Sequence, residues 1–574
     1  MEVGIVKLTI DGKEVQVPKG TTVLEAAEQI GIHIPRLCYD PDLSAVGACR
    51  LCIVKIEGMR NLPASCVTEV TEGMVVHTDT PEVIEARKTI LELLLANHPV
   101  DCLTCEKLGE CLLAKYCYEY GVLKSPFDGE KRHYEIKADN PFIVRDMNKC
   151  ILCGKCIRAC SEITGKNIID FSYRGFKTRV APFGDTPLSE SECIYCGNCV
   201  AFCPVGALSE KQMLNLGRRW NLKKVKTTCT FCSTGCTFDL RVKDGKVVGV
   251  TSNPDNAVNG RALCIRGRFG TRDFIHSDKR LTTPLIRRNG KLVPASWDEA
   301  LDLVAERLTE ITKQYGPNSF AAISTTRFTN EEIYLFQKFV RAVIGTNNID
   351  HYPSPCHGAM YREESYCNES VCEFAGIATL RCPNNLQGAS DMGALSGALP
   401  GYQRVDRQEV RAKYEEAWGV SIPGEAGLNV SEMFEHAIKE NLKAMYILGE
   451  NPVLSDANSE KVQSALTNLE FLVVHDLFLT ETAALADVVL PAASFAETDG
   501  TFTNNKRRVQ RVRKAIEPIP SKANWQAIIN LSSKMGYQMD YQHPEQIFAE
   551  MASLTPLFAH FNYKEIDKQG MVWP

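Results

Sequence analysis

The chain has 574 residues with a net charge of −5, 44 % hydrophobic and 24 % charged residues, and 24 cysteines. That length calls for several domains. The composition excludes disordered and fibrous classes, and the slight acidity gives no reason to expect nucleic acid as a partner. The cysteines are the anomaly. Twenty precede residue 265, and Cys356, Cys367, Cys372 and Cys382 fall within 27 residues.

In chain order, VKLTI (6–10) and EVQVP (14–18) alternate around Asp11-Gly12, a hairpin signal. Thr22-Val-Leu-Glu25 reads as a capping box opening a short helix that stops at Gly31. Together with the cysteine loop that follows, they predict a β-grasp-like domain over residues 1–80. The start, MEVGIVKLTIDGKEV, lacks a basic region followed by an apolar run and cleavage site. No apolar run spans a membrane, the richest stretch (483–495) being broken by Asp487. A cytoplasmic location is expected, where thiols stay reduced and clustered cysteines are metal ligands before they are disulfides.

The first set is Cys38, Cys49, Cys52 and Cys66. A [2Fe–2S] cluster takes four thiolates, two per iron, and a tight C-x2-C with two remote partners supplies them. Four thiolates also suit structural zinc. Thr80-Pro81 then opens a helix over 81–97 that delivers the chain to His98. The second set follows at 81–122: His98, Cys102, Cys105 and Cys111. Three thiolates leave one iron of a [4Fe–4S] cube unligated, and either the His98 imidazole or Cys117 can complete it.

Residues 123–141 read as a polar linker. Residues 141–212 hold an internal repeat. Cys193, Cys196, Cys199 and Cys203-Pro204 form C-x2-C-x2-C-x3-C-P, and Cys150, Cys153, Cys156 and Cys160 repeat it with Ser161 in place of proline. In such pairs the fourth cysteine ligates the other cluster. One cube is therefore expected on Cys150, Cys153, Cys156 and Cys203, the other on Cys160, Cys193, Cys196 and Cys199. A basic stretch (Arg218, Arg219, Lys223, Lys224, Lys226) reads as a solvated connector. The fourth set, in a domain over 222–280, is Cys229, Cys232, Cys236 and Cys264, again four thiolates with zinc as alternative. From 281 to 574 helical and strand-like segments alternate: Trp297–Tyr315, Phe320–Ser324, Ala444–Leu448 and 471–474, an α/β layering.

Nineteen cysteines and one histidine thus account for one [2Fe–2S] and four [4Fe–4S] clusters. Each carries one electron, so the row is a wire. A two-electron chemist is needed at an end, and no G-x-G-x-x-G after a strand and no P-loop stands in the sequence. A flavin for NAD(P)H would sit on a partner.

With these motifs the chain resembles the α subunit of cytoplasmic NAD-dependent formate dehydrogenases. Over 1–270 it also resembles the large iron–sulfur subunit of respiratory complex I and, through about residue 210, iron-only hydrogenase large subunits. The resemblance continues through NGRALCIRGRFG (259–270), GTNNIDHYPSPCHG (345–358), RCPNNLQGASDMGAL (381–395), YILGENPVLSDAN (446–458) and ADVVLPAASFAETDGTFTNNKRRVQR (486–511). It implies multidomain α+β and α/β architecture: a β-grasp ferredoxin domain, a one-His three-Cys cluster domain, a two-cluster bacterial ferredoxin domain, and a reduced molybdopterin-oxidoreductase-like α/β core. It favours His98 over Cys117 as ligand.

In the family Cys356 matches the cysteine or selenocysteine on molybdenum or tungsten, His357 the catalytic histidine and Arg381 the formate-holding arginine. Yet only 23 residues separate His357 from Arg381, Arg266 replaces a lysine that bridges the last cube to the pterin, and the chain ends where the family continues into a pterin-binding domain. Molybdopterin is therefore not expected, and the core is read as scaffold. Cys356, Cys367, Cys372 and Cys382 are a candidate extra metal site, an Fe–S cluster or zinc, with free buried thiols the plainer reading. The basic run 506–514 reads as a solvated strand or a docking face.

The expectation is an iron–sulfur electron-transfer subunit of a cytoplasmic NAD(P)H/ferredoxin oxidoreductase. Its partners would be an NADH-dehydrogenase-like flavoprotein with FMN, a thioredoxin-like [2Fe–2S] subunit and ferredoxin. Electron bifurcation is compatible with that order, though no residue here carries it. The alternative is a catalytic tungsten or molybdenum formate dehydrogenase using Cys356, His357 and Arg381.

Overall fold

The computed structural model describes residues 4–351 and 383–573. The chain divides into two compact units. One comprises residues 1–223, 251–255 and 259–269, the other 224–250, 256–258 and 270–574. These are larger than the five sequence-defined segments.

The first unit opens with a four-stranded sheet in the order Lys13–Pro18, Ile5–Ile10, Val75–His77, Lys55–Ile56. Ile10 pairs with Lys13 across Asp11 and Gly12, both at positive φ (47° and 76°), the tight turn their types allow. Thr22 and Glu25 form the expected capping box on the helix Val23–Gln29, which buries Val23, Leu24, Ala26 and Ala27. The helix Pro81–Asn97 is capped by Thr80, whose Oγ1 accepts from the Val83 N–H at 3.3 Å, and stops at His98. Its buried Arg87 donates to the Ile53 carbonyl at 2.7 Å and to Tyr120 Oη at 3.0 Å. That arginine ties the helix to the loop of Cys52 and to the end of the helix Leu112–Glu119.

The cysteine repeat is bracketed by the antiparallel strands Ile143–Arg145 and Leu208–Glu210. Between its two halves runs the hairpin Ile169–Ser172 with Arg179–Pro182. The halves share backbone geometry: Leu152 and Tyr195 lie at φ 53° and 51°, Gly154 and Gly197 at φ 70° and 72°. The two glycines start the short helices Lys155–Arg158 and Asn198–Phe202 in the left-handed conformation that glycine adopts without strain.

The second unit is built on a seven-stranded sheet in the order Lys291–Pro294, Leu285–Arg288, Val488–Pro491, Phe471–Asp476, Ala444–Leu448, Phe320–Ser324, Ile349–His351. The last five run parallel, and the first two form an antiparallel edge hairpin. Phe320–Ser324 and Ala444–Leu448 are buried along their whole length. Their unbroken apolar runs fit strands covered on both faces. The helix Trp297–Tyr315 lays Leu301, Val304, Leu308 and Ile311 into the core, between a Ser296 cap and Gly316. No helix among the described residues is long and apolar enough to cross a membrane.

Two sequence expectations are corrected. The stretch 218–226 is not a solvated connector: Arg218 Nη1 donates to the Cys105 carbonyl at 2.9 Å, Arg219 pairs with Glu110 at 3.3 Å, and Lys223–Thr228 is a strand. The run 506–514 is not a solvated strand either. Arg508–Val512 is the middle strand of a three-stranded sheet, burying Val509 and Val512, and Arg511 pairs with Asp567 at 2.9 Å. Basic side chains held by partners far along the chain read in sequence like free ones, because those partners are remote.

Candidate metal centres

The loops after the helix Val23–Gln29 bring Cys38, Cys49, Cys52 and Cys66 together. The N–H groups of Leu37 and Cys38 donate to Cys49 Sγ, and that of Cys49 to Cys38 Sγ, each at 3.4 Å. Hydrogen bonds from Cys49 and Cys66 hold the Cys38 thiol far below its ordinary range, and one from Cys66 brings Cys52 down to about 6. The same bonds push Cys49 and Cys66 up. Four sulfurs that share protons, with backbone N–H donors aimed at them, form a donor set suited to thiolate ligation.

In the second set Cys111 is the N-cap of the helix Leu112–Glu119, its Sγ accepting from the Ala114 N–H at 3.5 Å. Burial pushes the Cys111 thiol up, and the neighbouring charges of Cys105 and Cys102 add to it. His98 is half-buried, and desolvation holds its imidazole below the ordinary value, toward the neutral form a metal ligand needs. Its Nδ1 has no hydrogen-bond partner. A buried orphan nitrogen is costly unless something takes its lone pair. Cys117 sits one helical turn and a half beyond Cys111, buried, its thiol pushed up to about 11 by that burial.

The ferredoxin-type repeat gives two separate cavities. Cys150, Cys153, Cys156 and Cys203 line one, with Gly154, Pro204 and Val205 among the walls. Cys160, Cys193, Cys196 and Cys199 line the other, walled by Ile143, Ile168, Ile169 and Leu188. Each cavity thus takes three cysteines from one motif and the fourth from the other, the exchange the spacing predicts. The N–H of Leu152 donates to Cys150 Sγ and that of Tyr195 to Cys193 Sγ, both at 3.4 Å, repeating one bond in both halves. The Ile168 N–H donates to Cys160 Sγ at 3.3 Å.

Cys229, Cys232 and Cys236 belong to the second unit, where the Cys229 N–H donates to the Cys236 carbonyl at 2.8 Å. Cys264, exposed, belongs to the first. Cys356, His357, Cys367, Cys372, Arg381 and Cys382 lie outside the described residues.

Sequence reasoning missed the residues that join these sets. Cys105 packs on the backbone of Gly206, and the Leu112 N–H donates to the Pro204 carbonyl at 3.1 Å, so the second set abuts the loop of Cys203. Tyr116 Oη accepts from the Arg36 N–H at 3.3 Å, linking the helix after Cys111 to the segment before Cys38. Asp40 and Lys155 form a buried ion pair beside Cys38 and Cys156. All of these are long-range contacts that no local pattern announces.

Iron–sulfur modules followed by a mixed α/β region define an iron–sulfur oxidoreductase subunit, and comparisons with known proteins agree. Family models match in series: a 2Fe-2S iron-sulfur cluster binding domain over 5–81, the NADH-ubiquinone oxidoreductase-G iron-sulfur binding region over 87–126, and the ferredoxin-like domain of NADH-quinone oxidoreductase subunit 3 over 140–209. A molybdopterin oxidoreductase Fe4S4 domain follows over 222–276, then molybdopterin oxidoreductase over 280–381 and 365–534. An NADH-quinone oxidoreductase-G protein of Rhizobium meliloti is 31 % identical, covering 99 % of this chain and 84 % of that one. The probable oxidoreductase YjgC of Bacillus subtilis is 29 % identical and a putative formate dehydrogenase of Staphylococcus aureus 28 %, each covering 99 % of this chain and 79 % of theirs. The chain belongs to the NADH-quinone oxidoreductase-G family with its formate dehydrogenase-like relatives.

One expectation is corrected here. The short interval between His357 and Arg381 does not set molybdopterin aside, because the molybdopterin oxidoreductase model matches on both sides of that interval. Its two matched stretches, 280–381 and 365–534, meet within that interval.

Proposed function

We propose that this chain is the iron–sulfur electron-transfer subunit of a cytoplasmic NAD(P)H/ferredoxin oxidoreductase. One [2Fe–2S] cluster is held by Cys38, Cys49, Cys52 and Cys66. Four [4Fe–4S] clusters are held by His98 with Cys102, Cys105 and Cys111; by Cys150, Cys153, Cys156 and Cys203; by Cys160, Cys193, Cys196 and Cys199; and by Cys229, Cys232, Cys236 and Cys264. The partners are a flavoprotein with FMN, a thioredoxin-like [2Fe–2S] subunit and ferredoxin. The relatives named for NADH-quinone oxidoreductase and the consecutive cluster modules support a multi-subunit setting.

The observation that carries the proposal is the pair of cavities lined by exchanged cysteine sets. The bound clusters would supply one-electron redox chemistry. The chain's own residues do the rest. Backbone N–H groups of Leu152, Ile168 and Tyr195 stabilise anionic sulfur, and apolar walls exclude water, both of which set cluster potential. The native complex should yield about 18 iron atoms per chain and NADH-dependent reduction of its clusters. An iron content accounting for fewer than the two ferredoxin-type cubes and the [2Fe–2S] site would overturn the proposal.

A second reading is favoured by the molybdopterin oxidoreductase match and by the putative formate dehydrogenase relatives. There the chain is itself catalytic, with Cys356 on the metal and His357 and Arg381 at the substrate. Tungsten or molybdenum in the purified protein, with formate-dependent viologen reduction, would select it. Neither metal nor turnover would leave the electron-transfer role alone.

A further inference from the structure

The loop after Cys38 is docked on the first half of the ferredoxin repeat by an unusually complete polar node. Arg158, 8 % exposed, reaches two cluster loops with one nitrogen: its Nη2 donates to the Cys38 carbonyl at 2.7 Å and to the Cys153 carbonyl at 3.3 Å. Its Nη1 donates to the Ser44 carbonyl. Beside it Lys155 Nζ meets Asp40 Oδ2 at 2.6 Å, with side chains 3 % and 1 % exposed, and Arg261 approaches the same oxygen at 3.5 Å. Glu162 accepts from the Ser44 N–H at 2.8 Å.

A buried ion pair is expensive to desolvate and is stable only when its remaining groups are satisfied; what it then gives is a fixed arrangement. Arginine's planar fork adds rigidity that an ammonium lacks. Lys155 and Arg261 both meet Asp40, and Arg158 lies within the field of Glu162, so the node carries both signs; Arg158 is the cation in it that bonds both loops.

We infer that Arg158 is the positioning residue that couples the [2Fe–2S] site of Cys38 to the [4Fe–4S] site of Cys153, fixing the separation of the two loops and favouring the reduced state of both; this presupposes the electron-transfer role proposed above. The transfer it serves moves one electron from one site to the other, with no bond formed or broken and no proton moved. A cation beside an anionic cluster opposes the added negative charge of reduction, and so raises the potential.

The test uses the full chain in its native complex, with Arg158→Gln and Arg158→Lys. Iron content, potentiometric EPR and the magnetic coupling between the two clusters are read. A wild-type protein without a [2Fe–2S] signal refutes the electron-transfer role itself, and is checked first. With that signal present, both variants should keep their iron. Arg158→Gln should shift the reduction equilibrium of both clusters about tenfold toward oxidised, about 59 mV for one electron. Arg158→Lys keeps the positive charge and should restore the potentials, but its shorter stem draws the nitrogen back from the Cys38 and Cys153 carbonyls and should leave the coupling weakened. Unchanged potentials and coupling in Arg158→Gln overturn the inference. So does loss of iron from both variants, which makes Arg158 a residue of the fold alone.

Discussion

Cys105 lies against Gly206, where an added Cβ would stand 2.5 Å from the cysteine Sγ. Any side chain there must displace a sulfur of the His98 set. Gly206→Ala is therefore expected to cost the protein one [4Fe–4S] cluster, about four iron atoms, while the cubes of the ferredoxin repeat remain. Iron analysis with EPR of the variant checks it; full retention of that cluster's signal would contradict the packing.

The exchanged cysteines make opposite demands on two variants. Cys203→Ala should remove the cluster of Cys150, Cys153 and Cys156, and Cys160→Ala the cluster of Cys193, Cys196 and Cys199. Selective loss can be followed by the distinct EPR spectra of the two cubes. If each variant instead loses the cluster of its own motif, the ligand assignment is wrong.

His98 offers a neutral nitrogen where the other sets offer only thiolates. His98→Cys replaces it with an anionic ligand and should lower that cluster's potential, by about tenfold in the one-electron equilibrium or about 59 mV. Potentiometric EPR measures the shift. An unaltered potential with the cluster intact would show that His98 is not a ligand and that Cys117 is the alternative to examine.

Glu331 in the second unit should make stability fall as pH rises. Burial pushes its carboxyl up to about 7, although the Thr501 N–H donates to it at 2.8 Å and the Tyr563 hydroxyl at 2.9 Å. Between the ordinary value near 4.5 and about 7 the folded protein holds a proton that the unfolded chain has released. With more protons bound when folded, unfolding becomes easier as pH increases through that window, by on the order of 3 kcal/mol for this group. Glu331→Gln should reduce the slope, leaving the share of the likewise buried Glu332, Asp391 and Glu450, and raise the thermal midpoint at about pH 8 relative to wild type. Calorimetry of both proteins at acidic and alkaline pH checks it. An equal pH dependence in the variant would exclude Glu331 as the source.

Much of the first unit was legible because its signals are local. Asp11-Gly12 specifies a turn, Thr22 and Glu25 a cap, and Thr80-Pro81 a helix start, each within four residues. The grouping of cysteines around the two cavities was legible because a repeated C-x2-C-x2-C-x3-C motif sends its fourth cysteine to the other site. What stayed hidden depends on distant partners. Arg158 is one of several cations in sequence until the Cys38 and Cys153 carbonyls surround it. Arg218 and Arg511 looked solvated for the same reason. The expectation against molybdopterin leaned on departures at single points, Arg266 and the interval after His357 among them, whereas the molybdopterin oxidoreductase match extends over 280–381 and 365–534.

The exchange of Cys160 and Cys203 also bears on how the protein would fail under oxygen. Met147, Val180 and Leu208 line both cavities, so the two sites share walls as well as sequence. An oxidant that detaches Cys203 releases a stretch of chain that both sites lean on. With a cube in each cavity, as proposed, injury at one would disturb walls that the other also uses.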